Sequence, residues 1–181
     1  MTFRSACMTI AAAGLLCACA GGDVIYYSSL KGYTGSDRDY ANRGAGIPLV
    51  VSGRPSGAAT SESAAAAAAA AMSGAPTAGN IRFFPANENA DPRSKYFVAV
   101  RFGNSGSPAA LCEEPKASAG VGSAYGMAFC HDETLLSYLA GDLGGANIGS
   151  AGFRQAMSTA ASQLMPFENP DLVDCDEGNC N

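Results

Sequence analysis

Cys130-His131-Asp132-Glu133 is the densest run of chemically capable side chains in the chain. A thiol, an imidazole and two carboxylates offer half of a metal site, or a general base at His131. His131 is the single histidine among 181 residues, so no second imidazole exists to complete a common zinc or copper set. The carboxylates are adjacent rather than on one helical face, and the run reads as the polar end of a strand. Gly120-Val121-Gly122-Ser123-Ala124-Tyr125-Gly126 superficially resembles both the GxSxG elbow and the GxGxxG loop and matches neither spacing. Gly103–Ser107 has the composition of an anion nest and is expected to be an ordinary turn. Asp174, Asp176 and Glu177 offer weak calcium ligands without EF-hand spacing, and read as a solvated acidic tail. No catalytic residue, metal ligand or cofactor is assigned, and an enzyme is not expected.

The cysteines divide into two groups. Cys7, Cys17 and Cys19 lie in the apolar N-terminal run, and Cys112, Cys130, Cys175 and Cys180 lie beyond it. An even set of four permits three disulfide pairings. Cys175–Cys180 would close a short loop eased by Gly178, leaving Cys112–Cys130 as the longer one. A zinc site is the competing chemistry, but the spacings are not those of paired CxxC knuckles.

Short elements must position these groups. Ile47–Ser52 reads as a strand, with Pro48 placing it at a strand start or a sheet edge. Gly53–Gly57 turns the chain. Thr60 or Ser61 then caps a helix through the alanine run Ala64–Ala71, which Ser73-Gly74-Ala75-Pro76 stops. Ile81–Phe84 is a short strand. Lys95–Phe102 is the clearest one, with Tyr96, Val98, Val100 and Phe102 on one face and Phe97, Ala99 and Arg101 on the other. Gly122–Cys130 follows with Tyr125, Met127 and Phe129 aligned. A simple hairpin of these two strands separates Cys112 from Cys130, unless the connecting loop folds back or 109–112 runs beside the later strand. Leu135, Leu136, Tyr138 and Leu139 fit neither helical nor strand period, and 141–149 reads as flexible. Ser150 caps the best amphipathic helix, carrying Phe153, Ala156, Met157, Ala160 and Leu164, and Pro166 ends it.

The N-terminal residues carry the most specific pattern. Arg4 precedes an apolar run, Cys7–Leu16, of signal-peptide length and too short to span a bilayer. The run ends in Leu16-Cys17-Ala18-Cys19, which resembles the lipobox of bacterial lipoprotein precursors. The resemblance implies that Cys19 receives a diacylglyceryl thioether, is released as the first mature residue and is acylated on its new amino group. Two or three acyl chains make a lasting anchor where one does not. Ala20, in place of an aspartate, implies the outer membrane and a periplasm-facing protein. That oxidising compartment favours disulfides for the four downstream cysteines.

Cleavage after residue 18 leaves 163 of the 181 residues and, with Arg4 gone, moves the formal net charge from −5 to −6. Such acidity argues against nucleic acid as a partner and against a basic membrane-docking patch. Residues 20–46 are broken by glycine, serine, aspartate and asparagine, and read as a tether containing Tyr26, Tyr27, Tyr33 and Tyr40.

The element order predicts an α+β domain, a small antiparallel sheet with two helices packed on one face. The predicted organisation is a signal peptide over 1–18, a lipidated flexible tether over 19–46, the domain over 47–167 and an acidic cysteine-containing tail over 168–181. Residues 47–166 also resemble a family of small, uncharacterised Gram-negative lipoproteins. The resemblance rests on the Ile47–Gly53 strand before a small-residue helix, Ala110-Leu111-Cys112, Ala128-Phe129-Cys130 and the Phe153–Pro166 helix. Arg54-Pro55-Ser56-Gly57 stands where that family more usually has Asn-Pro-Phe. What the resemblance implies is fold and location. The expected function is a lipid-anchored periplasmic accessory protein that binds another envelope component. The alternative is a binding module for a small molecule or cell-wall fragment, lined by Tyr96, Phe102 and Tyr125. The expected partners are the membrane, through the lipid, and an envelope protein.

Overall fold

The computed structural model describes residues 24–43, 46–73, 75, 80–86, 95–117 and 119–170. Cys19 with the signal segment, and Cys175, Cys180, Asp174, Asp176 and Glu177 in the tail, lie outside the described residues. The elements are β1 (Val24–Ser29), α1 (Gly35–Ala41), β2 (Ile47–Ser52), α2 (Ser61–Ser73), β3 (Phe83–Pro85), β4 (Tyr96–Phe102), α3 (Pro108–Glu113), β5 (Ala124–His131), β6 (Thr134–Asp142) and α4 (Ala151–Leu164).

The fold is α+β, and its sheet is larger than expected and mixed. Six strands run in the order β1-β6-β5-β4-β2-β3. β2 lies parallel to both β3 and β4, whereas β4, β5, β6 and β1 are successively antiparallel. The parallel pair arises because α2 carries the chain from the end of β2 back to the start of β3, as a crossover must.

Residues 24–41, expected to belong to a tether, supply β1 and α1. Ile25 and Leu30 pack on the core and Tyr33 is fully buried, so this segment contributes to the core, while Val24, Tyr26, Tyr27 and Tyr40 stay exposed. Thr34 caps α1 through a reciprocal capping box with Asp37, which overrides the helix-breaking composition around it.

Alternation along β4 and β5 divides the interior into two layers. Val98, Val100, Phe102, Tyr125, Met127 and Phe129 face α2 and α4 in the main core. Ala99, Ala128, Cys130, Tyr138 and Ala140 face α3 with Leu111 and Cys112 on the opposite side. The sheet is therefore covered by helices on both faces, not one. α2 is capped by the Thr60 hydroxyl, which accepts from the Ser63 N–H at 3.1 Å. Its buried Ala64 and Ala68 let it lie close against α4 and β3. α4 follows the expected pattern, with Ser150 as cap and Phe153, Ala156, Met157, Ala160 and Leu164 buried.

The irregular period of Thr134–Leu139 has a specific cause. Cys130 pairs with Leu135 and Phe129 with Ser137, so a register slip leaves Leu136 between them. Leu136 enters the main core, and Ser137 on the same side donates a hydrogen bond to the Leu164 carbonyl at 2.6 Å. A strand with a bulge breaks strict alternation while remaining a strand.

Candidate functional site

Cys130 forms a disulfide with Cys112 and is unavailable as a ligand. The bridge spans the apparent hairpin conflict because the connection folds back: α3 lies across β5 and β6, returning Cys112 to the far end of β5. His131 is half-buried, with its ring 4.4 Å from that of Tyr96. Asp132 and Glu133 form a two-residue turn, with Asp132 at φ +51°, a conformation aspartate tolerates well. Asp132 pairs with exposed Lys95 at 3.4 Å. The four adjacent groups thus diverge, and among the described residues no three His, Cys, Asp or Glu side chains converge.

The glycine-rich motifs have a steric explanation. A Cβ on Gly53 would stand 2.3 Å from the Phe102 carbonyl oxygen, and one on Gly103 would stand 2.7 Å from the Gly120 carbonyl carbon. Gly122 donates to the Arg54 carbonyl at 3.2 Å, and Arg54 donates to Gly120 at 3.1 Å. Three chain segments cross here backbone to backbone. In the Gly103–Ser107 loop the Gly106 N–H is bound by the Asn104 side chain at 2.9 Å, so it is committed internally.

The expected aromatic lining does not form as a unit. Phe102 and Tyr125 are fully buried in the main core, because their face of the sheet is covered by α2 and α4. Tyr96 alone remains half-exposed, at the sheet end near α1. Its hydroxyl donates to Asp37 at 3.2 Å, and desolvation, with the Asp37 charge beside it, raises its pKa.

Among the described residues, a concave feature lies elsewhere. A cleft of about 640 Å³ opens at the carboxyl end of β2, between the first turn of α2, the residues after β3 and the segment after α3. Val50, Ala65 and Pro85 provide apolar wall, and Ser52, Glu62 and Lys116 provide polar groups. The volume falls in the range of small-ligand sites, and the carboxyl end of a parallel strand is where α/β sheets commonly hold ligands. Glu62 is held ionised below the usual carboxylate range by its own backbone N–H and by the Thr60 hydroxyl. Lys116 is exposed and supplies the opposite charge. Behind Ser52 lies Arg101, only 8% exposed, whose Nε donates to the Ser52 hydroxyl at 3.4 Å. Its Nη2 donates to the Glu114 carbonyl at 2.8 Å, tying the end of α3 to the cleft floor.

Sequence reasoning missed these residues because they come from four separated segments. Arg101 carried one signal, a cation on a strand face otherwise occupied by Phe97 and Ala99. Compared with protein-family models, curated proteins and solved structures, the chain gives no match.

Proposed function

We propose that this chain is a lipid-anchored binding protein of the bacterial envelope, held through Cys19, that takes a small molecule or cell-wall fragment in the cleft beside β2. The observation that carries the reading is the cleft itself, which joins an apolar wall to one carboxylate and one ammonium group. Walls of both charge signs suit a ligand that also bears both, and a short cell-wall peptide meets that description.

The experiment is titration of the folded protein with a soluble muropeptide digest, followed by amide chemical shifts. Saturable shifts confined to Val50–Gly53, Ser61–Ala65 and Lys116, weakened in Lys116→Glu, support the reading. Titration that leaves those amides unmoved overturns it.

A second reading, an accessory protein that docks an envelope protein, draws on a different surface. Tyr40 and Phe167 are 59% and 68% exposed at the opposite end of the sheet, with the Arg38 guanidinium over the Phe167 ring. Reproducible cross-links from this end to a single envelope protein, lost in Phe167→Ser, would favour it over the cleft.

A further inference from the structure

We infer that the free edge of β1 is a membrane-contacting edge, with Val24, Tyr26 and Tyr27 seated in the lipid headgroup layer. The inference rests on the proposed anchoring at Cys19.

β1 closes one side of the sheet and pairs with β6. A register slip between Ile25 and Tyr27 lets Ile25 pack on the core while Tyr26 and Tyr27 point outward. Val24, Tyr26 and Tyr27 are 58%, 57% and 50% exposed. The Tyr27 ring leans on Tyr138 at 5.6 Å, so the aromatic surface is braced from within the sheet. An exposed edge bearing valine and two tyrosines invites pairing with another chain unless something covers it.

Chain length names the cover. Val24 follows Cys19 by five residues, and an extended chain advances at most about 3.6 Å per residue. A lipidated Cys19 therefore holds the start of β1 within about 18 Å of the bilayer surface. Tyrosine, with an apolar ring and a polar tip, is a residue of membrane interfaces, where water still reaches backbone groups of an open edge. Charge agrees. The strand VIYYSS carries no ionisable acid or base other than its phenols, in a chain that is otherwise acidic. Asp142, opposite Val24, is turned to the Ser123 hydroxyl at 2.9 Å and the Gly144 N–H at 2.8 Å.

The orientation has a consequence for the cleft. β1 and β3 are the two edges of a six-stranded sheet, so with strands about 4.8 Å apart they lie roughly 24 Å from each other. The cleft beside β2 and β3 then lies toward the opposite edge of the sheet from the membrane-held β1, at the same end of the strands as Val24.

The chain contains no tryptophan, so Tyr26→Trp, Tyr27→Trp and, at the far end, Tyr40→Trp each install a single fluorescent reporter. The full lipidated protein is reconstituted in phosphatidylethanolamine–phosphatidylglycerol vesicles doped with a phosphatidylcholine brominated near the carbonyl end of its chains. Expected are a blue shift and about two-fold quenching for Tyr26→Trp and Tyr27→Trp, as for an interfacial ring, with Tyr40→Trp unaffected. Mass spectrometry of the mature N-terminus is read in parallel. Lipid on Cys19 with unquenched reporters at 26 and 27 overturns the inference and leaves the anchor standing. Unquenched reporters together with cross-links between β1 strands assign the edge to a second copy and overturn it likewise. An unlipidated Cys19 overturns both the anchor and the inference.

Discussion

The Tyr125 ring fills the space above Gly141: a Cβ on Gly141 would lie 2.7 Å from the Tyr125 hydroxyl oxygen and 2.8 Å from Cζ. The two residues are paired across β5 and β6, so neither can retreat without moving a strand. Gly141→Ala is expected to cost about 1–3 kcal/mol as an overpacking change. Tyr125→Ala, which empties a fully buried site, is expected to cost about 3–5 kcal/mol. In a Tyr125→Leu background the Gly141→Ala penalty should shrink, because the obstructing ring is gone. Denaturant unfolding of the double-mutant cycle measures the coupling, and additive penalties would show that the ring does not select the glycine.

The disulfide makes a second expectation. Cys112–Cys130 closes a loop of sequence separation 18 and fastens α3 over the second core layer. A loop of that size is worth about 3 kcal/mol in the chain-entropy account. Cys112→Ala should therefore lower Tm by about 6–12 °C, given roughly 2–4 °C per kcal/mol in a domain of this length. Non-reducing peptide mapping should recover peptides 112 and 130 joined. Recovery of either thiol free in the native protein would contradict the pairing.

How much of this was legible depended on whether the signal was local. α4 could be read from Ser150 and the spacing of Phe153, Ala156, Met157, Ala160 and Leu164, because cap and stripe both lie within one element. The two faces of β4 could be read for the same reason. β1 and α1 were hidden because glycines and polar residues dilute the apolar pattern of residues 24–41, and Tyr33 is buried only by tertiary contacts. The parallel pairing of β2 and β4 rests on contacts some fifty residues apart, which no local period encodes. The cleft was illegible for the same reason, since Ser52, Glu62, Pro85 and Lys116 meet only after β2, α2, β3 and α3 are assembled.

Alkaline stability follows from three phenols. Burial raises the pKa of Tyr33, Tyr96 and Tyr138 above the ordinary tyrosine value, and nearby carboxylates add to the effect at Tyr33 and Tyr96. The folded state thus holds these protons more tightly than the unfolded chain. Their contribution to stability is fully present below about pH 10, the unfolded value, and is lost as pH rises through the raised folded values. Spectrophotometric titration of native protein should show a late-ionising class of tyrosines that joins the ordinary class in denaturant. Tyr96→Phe should remove one member and lessen the loss of stability above about pH 10. A single native transition at the ordinary value would contradict the expectation.

Arg101 separates the structural half of the cleft from its exposed half. Its guanidinium is buried against a hydroxyl and the carbonyls of Ala110 and Glu114, where it is a second donor beside the N–H groups of Glu114 and Ala117. Arg101→Met keeps much of the stem volume and removes those charge-assisted bonds, and should cost about 2 kcal/mol. Lys116 is exposed on the same cleft, and Lys116→Ala should change stability by less than about 0.5 kcal/mol. Parallel urea unfolding of the two variants tests the contrast. A neutral Arg101→Met would mean that well-packed apolar volume serves there as well as the buried cation does.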